Sequence, residues 1–119
     1  MSRKILIPLF GNEVAPRFDL ATDVMLVLVT SKPDKPACWE SRIVVLPGPS
    51  ADELCRLILN EDVQTVVCAG IEDEYFQFLT WKGVTVVDEV MGPVDRVVTA
   101  LANDALDRGT DFYGPSNVL

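Results

Sequence analysis

Residues 63 to 71, Val-Gln-Thr-Val-Val-Cys-Ala-Gly-Ile, constrain this chain more than any other stretch. The run Thr65-Val66-Val67-Cys68 is apolar or β-branched throughout. That is the composition of a strand covered on both faces, as parallel strands are. It lies between two segments of helical pattern, Ser50 to Glu61 and Glu72 to Lys82. A strand entered and left through helices needs crossover connections, and therefore a layered α/β sheet. Open α/β sheets place ligands beyond the carboxyl ends of their strands, so the turn Ala69-Gly70-Ile71 is where a site is expected.

The remaining elements follow from pattern and punctuation. Lys4 to Leu9 is a first strand with Ile5 and Ile7 on one face, and Pro8 limits its pairing near the end. Phe10 to Thr22 is a loop long enough to suggest function. Val24 to Thr30 is apolar enough for a central strand, Ser31 to Pro36 is a turn, and Trp39 to Leu46 is a strand with one partly wet face. Ser50-x-x-Glu53 reads as a reciprocal capping box, opening a helix with Ala51, Leu54, Cys55 and Ile58 on its buried stripe. The helix from Glu72 points Tyr75, Phe76 and Leu79 inward and ends before Gly83. Val84 to Val87 is a short strand, and Gly92-Pro93 opens a last helix with the stripe Val94, Val97, Val98, Leu101 and Ala105, ending at Gly109. The prediction is one domain over residues 1–109 with a tail over 110–119. Its order is β-β-β-α-β-α-β-α: an antiparallel meander of three strands, then two strands parallel to the first.

Charge and composition exclude several function classes. Eighteen acidic groups against ten basic ones give a net charge of −8, which disfavours nucleic acid and anionic membranes as partners. No stretch approaches the roughly 20 apolar residues of a membrane-spanning helix. Three cysteines without a Cys-x-x-Cys pair argue for a reducing, cytoplasmic setting rather than a disulfide framework. With no histidine, mechanisms built on imidazole have no residue to run on. Neither a phosphate-binding loop nor a Gly-x-Gly-x-x-Gly fingerprint is present, so nucleotide binding has no support. The element order raises the ribonuclease-H-like fold, but its first strand has no acid with which to hold catalytic metals. A non-catalytic protein is expected.

If the first, fourth and fifth strands are parallel, three loops share one rim and gather Arg17, Cys68, the amides near Gly70, Asp88 and Met91. Amides opening a helix and an arginine fork favour an anion. A thiolate near a helix N-terminus would have a lowered pKa and would take a soft metal. Each residue also has a plainer reading. Cys68 could be a small core residue, and Arg17 could brace its loop against Asp19 or Glu13. Cys55 belongs on a core face, Cys38 has no evident role, Met91 caps the core, and Trp39 and Trp81 are expected to be packing residues.

Five stretches together resemble the dinitrogenase iron-molybdenum cofactor biosynthesis family. They are Lys4-Ile5-Leu6-Ile7-Pro8, Val14-Ala15-Pro16-Arg17-Phe18, Val66-Val67-Cys68-Ala69-Gly70-Ile71, Leu79-x-x-x-Gly83-Val84-x-Val86, and Gly92-Pro93-Val94 leading into Val97-Val98-x-Ala100-Leu101. The resemblance spans residues 4 to 109. It implies a ribonuclease-H-like α/β fold with a five-stranded mixed sheet and helices on both faces, and an accessory role in carrying iron-sulfur or iron-molybdenum clusters. It further implies a cofactor site at Arg17, Phe18, Cys68, Ala69, Gly70, Ile71 and Gly92, with Cys68 as metal ligand, and metallocluster donor or acceptor proteins as partners. Two positions depart from the family. Many members carry a histidine, read as a cluster ligand, where this chain has Arg17, and a glycine where it has Glu72. The alternative implied by those departures is a cofactor-free interaction or regulatory domain that kept the fold and lost the ligands.

Overall fold

A computed structural model describes residues 2–113. The strands are β1 (Ser2–Phe10), β2 (Glu13–Val14), β3 (Asp23–Lys32), β4 (Lys35–Val45), β5 (Thr65–Val67) and β6 (Thr85–Val87). The helices are α1 (Ala51–Asn60), α2 (Asp73–Trp81) and α3 (Val94–Ala102), and Phe18–Leu20 forms a single 3-10 turn. The main path of the sheet runs β4-β3-β1-β5-β6, with β2 pairing β1 off that path. The first three long strands pair antiparallel, whereas β5 runs parallel to β1 and β6 parallel to β5. The fold is therefore mixed α/β, as expected.

Among the described residues, six strands replace the five predicted. The extra one, β2, is two residues from the long loop that fold back on the end of β1, aligning Val14 with Leu9. Two residues carry no periodicity, so nothing local distinguishes them from loop; tertiary pairing makes them a strand. The hairpin between β3 and β4 is also tighter than expected. Lys32 aligns with Lys35, leaving a turn at Pro33-Asp34 in which Asp34 adopts a φ of 69°. Asp is one of the few side chains that tolerates that left-handed conformation.

The sheet separates two cores. Strand alternation sends Ile5, Ile7, Val27 and Val29 to one side, where Val97, Val98 and Leu101 of α3 cover them. Leu6, Val24, Leu26 and Val66 face the other, under Leu54 and Ile58 of α1 and Leu79 of α2. The expected stripe on α1 is buried at all four positions. Its cap is half of what the sequence suggests. The Ser50 hydroxyl accepts from the Glu53 amide at 3.2 Å, but the Glu53 carboxylate turns to Arg56 at 2.6 Å instead of reaching back. The outward turn gains a charged partner one helical turn away. On α2 only Leu79 is fully buried, with Tyr75 and Phe76 half-buried.

The third helix ends earlier than predicted. It stops at Ala102, Asn103 caps it, and Asp104 takes a φ of 54°, so Ala105 lies beyond its stripe. Pro93 is the N-cap rather than a first-turn residue. The released segment returns to the rim: Gly109 N donates to Asp88 O, and Met91 N to Thr110 O. Within the predicted tail, Phe112 packs against the α3-side core, while residues 114–119 lie outside the described residues. Both tryptophans depart from the packing role expected of them. Trp81 is 78% exposed with Lys82 over its ring, and Trp39 is 43% exposed. Among the described residues, no helix is long and apolar enough to cross a membrane.

Leu54 is fully buried between α1 and the sheet. Leu54→Ala is expected to lower the unfolding free energy by about 2–5 kcal/mol, and Ser50→Ala by about 1 kcal/mol, in urea denaturation.

Candidate functional site

The three connections beyond β1, β5 and β6 do converge, and they are bonded to one another by backbone. Gly70 N donates to Pro16 O at 2.9 Å, and Phe18 N donates to Gly70 O at 2.8 Å, so Arg17 and Gly70 align as a short parallel bridge. Glu89 N donates to Ala69 O and Val90 N to Cys68 O, which ties the third loop to the second. Val14 N donates to Gly92 O, and Val94 N to Asn12 O, which closes the circuit back to the first.

Two glycines allow this crossing. A Cβ on Gly70 would lie 2.9 Å from the Pro16 carbonyl oxygen, closer than a carbon can sit there. Gly92 has a φ of 149°, and a Cβ there would meet the Phe112 ring at 2.8 Å. Gly70 is thus accounted for by the close approach of backbone, and Gly92 by its φ and the packed Phe112 ring. Phe18, from the long loop, is fully buried in the same core cluster as Leu6 and Leu79, and its ring centroid lies 6.1 Å from that of Tyr75. Ala69 is buried on the α3 side, and Ile71 is half-buried against the other core.

Cys68 behaves oppositely to the low-pKa thiolate considered from sequence. It shares the core cluster of Phe18, Val66 and Leu79 and is 1% exposed. Burial pushes its thiol up to about 12, and the nearby charge of Asp88 adds to the rise. A sealed, protonated sulfur is a small hydrophobe rather than a ligand. Among the described residues, no group of three or more cysteine or carboxylate side chains is placed to hold a metal ion.

Arg17 is the loop brace rather than an open clamp. Its Nε donates to Asp19 Oδ1 at 3.0 Å and its Nη2 to Asp19 Oδ2 at 2.8 Å, a bidentate pair, and Nη2 also reaches Glu72 Oε1 at 3.3 Å. Glu13, the other partner considered, instead accepts from the Tyr113 hydroxyl at 2.5 Å. Two carboxylates thus cancel the positive charge of Arg17. Asp73 and Glu74 in the first turn of α2 occupy the positive end of its dipole. An anionic cluster brought here would meet Glu72, Asp73 and Glu74. Met91 is 45% exposed and aligned with Asp111 rather than capping the core.

An open cleft of about 360 Å³ remains on this rim, lined by Ala69, Gly70, Ile71, Asp73, Phe76, Asp88, Glu89 and Arg108. Asp88 is nearly buried and takes the Arg108 guanidinium, with Nε at 2.6 Å from Oδ1; Arg108 also reaches Glu89 at 3.3 Å. That contact raises the pKa of Arg108 further, mainly through its hydrogen bond to Asp88. The sequence reading brought Asp88 to the rim but missed Arg108. The sequence pattern ran the last helix on to Gly109, so the release of Arg108 and its return to a strand end twenty residues earlier were not visible.

No protein-family model matches the chain, and no curated protein matches it. Solved structures do match. The crystal structure of PH0822 is 19% identical with a TM-score of 0.72, covering 88% of this chain and 93% of that one. A Methanocaldococcus jannaschii protein, provisionally named a dinitrogenase, is 16% identical with a TM-score of 0.69, covering 91% and 95%. A Thermotoga protein, provisionally named a NifB protein of the DUF35 family, is 16% identical with a TM-score of 0.62, covering 92% and 96%. At such identities the likeness is one of fold.

The buried thiol gives a pH signature. Below pH 9 the Cys68 thiol is protonated in both folded and unfolded chains. Between 9 and about 12 the unfolded thiol ionises while the folded one does not, so stability falls as pH rises, on the order of 1 kcal/mol per pH unit. Cys68→Ala, compared with the native chain over this window, is expected to remove the Cys68 share of that slope, leaving the part up to about 11 that the buried Cys55 thiol contributes. Native-state labelling with a thiol reagent is expected to modify Cys38 readily and to spare Cys55 and Cys68 until the chain unfolds. Gly70→Ala is expected to destabilise the fold by about 1–3 kcal/mol in the same assay, because Pro16 must move.

Proposed function

We propose that this chain is a cofactor-free, non-catalytic accessory domain, which has the architecture of nitrogenase-related proteins but acts through protein contacts rather than by holding a metal cluster. The observation that carries this reading is the chemistry of the rim. The sulfur that would ligate is sealed in the core, and the guanidinium that would clamp is bound by Asp19 and Glu72. These residues do not fit an iron-sulfur or iron-molybdenum cluster. The strand path β4-β3-β1-β5-β6, with its antiparallel half and parallel half, supports a ribonuclease-H-like assignment of the fold. Strand β1 carries no acid and Asp88 is committed to Arg108, which supports a domain without nuclease chemistry. The names of the dinitrogenase-like and NifB-like neighbours support a nitrogenase-related setting, in which proteins that donate or accept metalloclusters are the natural partners.

Anaerobic incubation with iron, sulfide and molybdate, followed by desalting, is expected to leave a colourless protein without retained metal. A visible absorption band that disappears in Cys68→Ala would reject the reading and restore the cluster carrier.

A further inference from the structure

One edge of the sheet is unlike the other. Strand β6 ends the parallel half after three residues, but β4 presents eleven. Strand β4 pairs with β3 and, among the described residues, has no second neighbour in the sheet. In an antiparallel pair, alternate residues direct their N–H and C=O groups away from the partner, so β4 carries a row of unpaired donors and acceptors. Its side chains are also largely uncovered, on both faces. On the face shared with α3, Trp39 is 43%, Ile43 51% and Val45 69% exposed, although Val29 beside Trp39 is core and Met25 beside Ile43 packs against it. The usual protections of an edge are confined here to the hairpin end, with Lys35, Pro36 and a register shift, and to the charged Glu40 and Arg42 in mid-strand.

We propose that β4 pairs antiparallel with β4 of a second copy of this chain, about a two-fold axis through Ser41, joining the two sheets into one. A two-fold normal to the sheet keeps each face continuous, so residues i and j stand opposite when their numbers sum to a constant even value. Three central registers put a charged residue to the test. Centring on Glu40 sets Glu40 against its own copy, and centring on Arg42 sets Arg42 against its own; like charges directly opposite are unfavourable. Centring on Ser41 sets Glu40 opposite Arg42 twice by symmetry, and on the other face sets Trp39 opposite Ile43 twice. Ala37 then meets Val45, and Cys38 meets Val44. The strand is self-complementary in this register, in charge and in apolar surface.

The monomer leaves the required groups available. Glu40 makes no ion pair among the described residues. Arg42 commits Nη2 to Glu61 at 2.8 Å and keeps further N–H groups for a second carboxylate. The Trp39–Ile43 contacts extend the α3-side core across the axis, since Ala37 and Met25 already pack against it. Apolar contact and the new ladder would supply affinity, and the reciprocal ion pairs the register. The contact is remote from the Cys68 rim, so it stands or falls separately from the cofactor-free reading.

Sedimentation of the full chain across a concentration series tests this. The expected mass is twice the 13.1 kDa of one chain. Glu40→Arg alone and Arg42→Glu alone should each halve that mass while keeping the native circular dichroism. An equimolar mixture of the two variants should recover the dimer, because one then carries two cations and the other two anions on matching positions. The double exchange in a single chain should recover it as well. A native chain that stays monomeric would overturn the proposal, as would a dimer that persists in both single variants or variants that fail to recombine.

Discussion

Strand β1 is sealed on both faces, and the remainder of the fold is arranged to keep it so. Ile5 and Ile7 lie under α3 while Leu6 lies under α1 and α2, all three without solvent contact. A strand buried on both sides must satisfy its backbone within the sheet, since an unpaired buried amide costs as much as a lost hydrogen bond. Pairing with β3 on one side and β5 on the other does so, and the parallel partner can arrive only through a crossover. The helices therefore divide between the two faces, and the strand ends gather at one rim.

What happens at that rim is decided by how tightly its loops are drawn. The exchange of hydrogen bonds between Gly70 and the Pro16–Phe18 segment brings Phe18 into the core. Once Phe18 is buried there, the neighbourhood of Cys68 is dry, and a dry thiol holds its proton. The same loop carries Arg17 to within reach of Glu72, so charge that would otherwise greet an anion is consumed internally. Architecture and chemistry diverge here: three strand-end connections meet at one rim, while Cys68 is buried in the core and Arg17 and the Gly70 amide have internal partners.

The legibility of these features follows their range in sequence. The stripe and cap of α1 are local, repeat every turn, and could be read directly. The end of α3 was legible in principle, since Asn103-Asp104 is a local stop, but the apolar Ala105 beyond it extended the apparent stripe. The alternation that puts Val66 and Cys68 on one face was also readable. Whether that face stays covered at its last residue was not, because the core cluster that encloses Cys68 draws on residues as distant as Phe18, fifty positions away along the chain. The partner of Asp88 was hidden for the same reason.

Sequence by itself determined the layering: apolar runs and helical stripes fix which segments are strands or helices and which faces they bury, because burial is written in local periodicity. It also fixed the acidic balance and the lack of imidazole. Tertiary structure alone decided that Glu13-Val14 is a strand, that Cys68 is closed and Arg17 neutralised, and that β4 is left as a long bare edge. The closing of Cys68, the reach of Arg17 to Glu72 and the bare edge of β4 depend on residues far apart in the chain, while the pairing of β2 with Leu9-Phe10 and the Arg17–Asp19 pair are short-range contacts that no periodicity encodes.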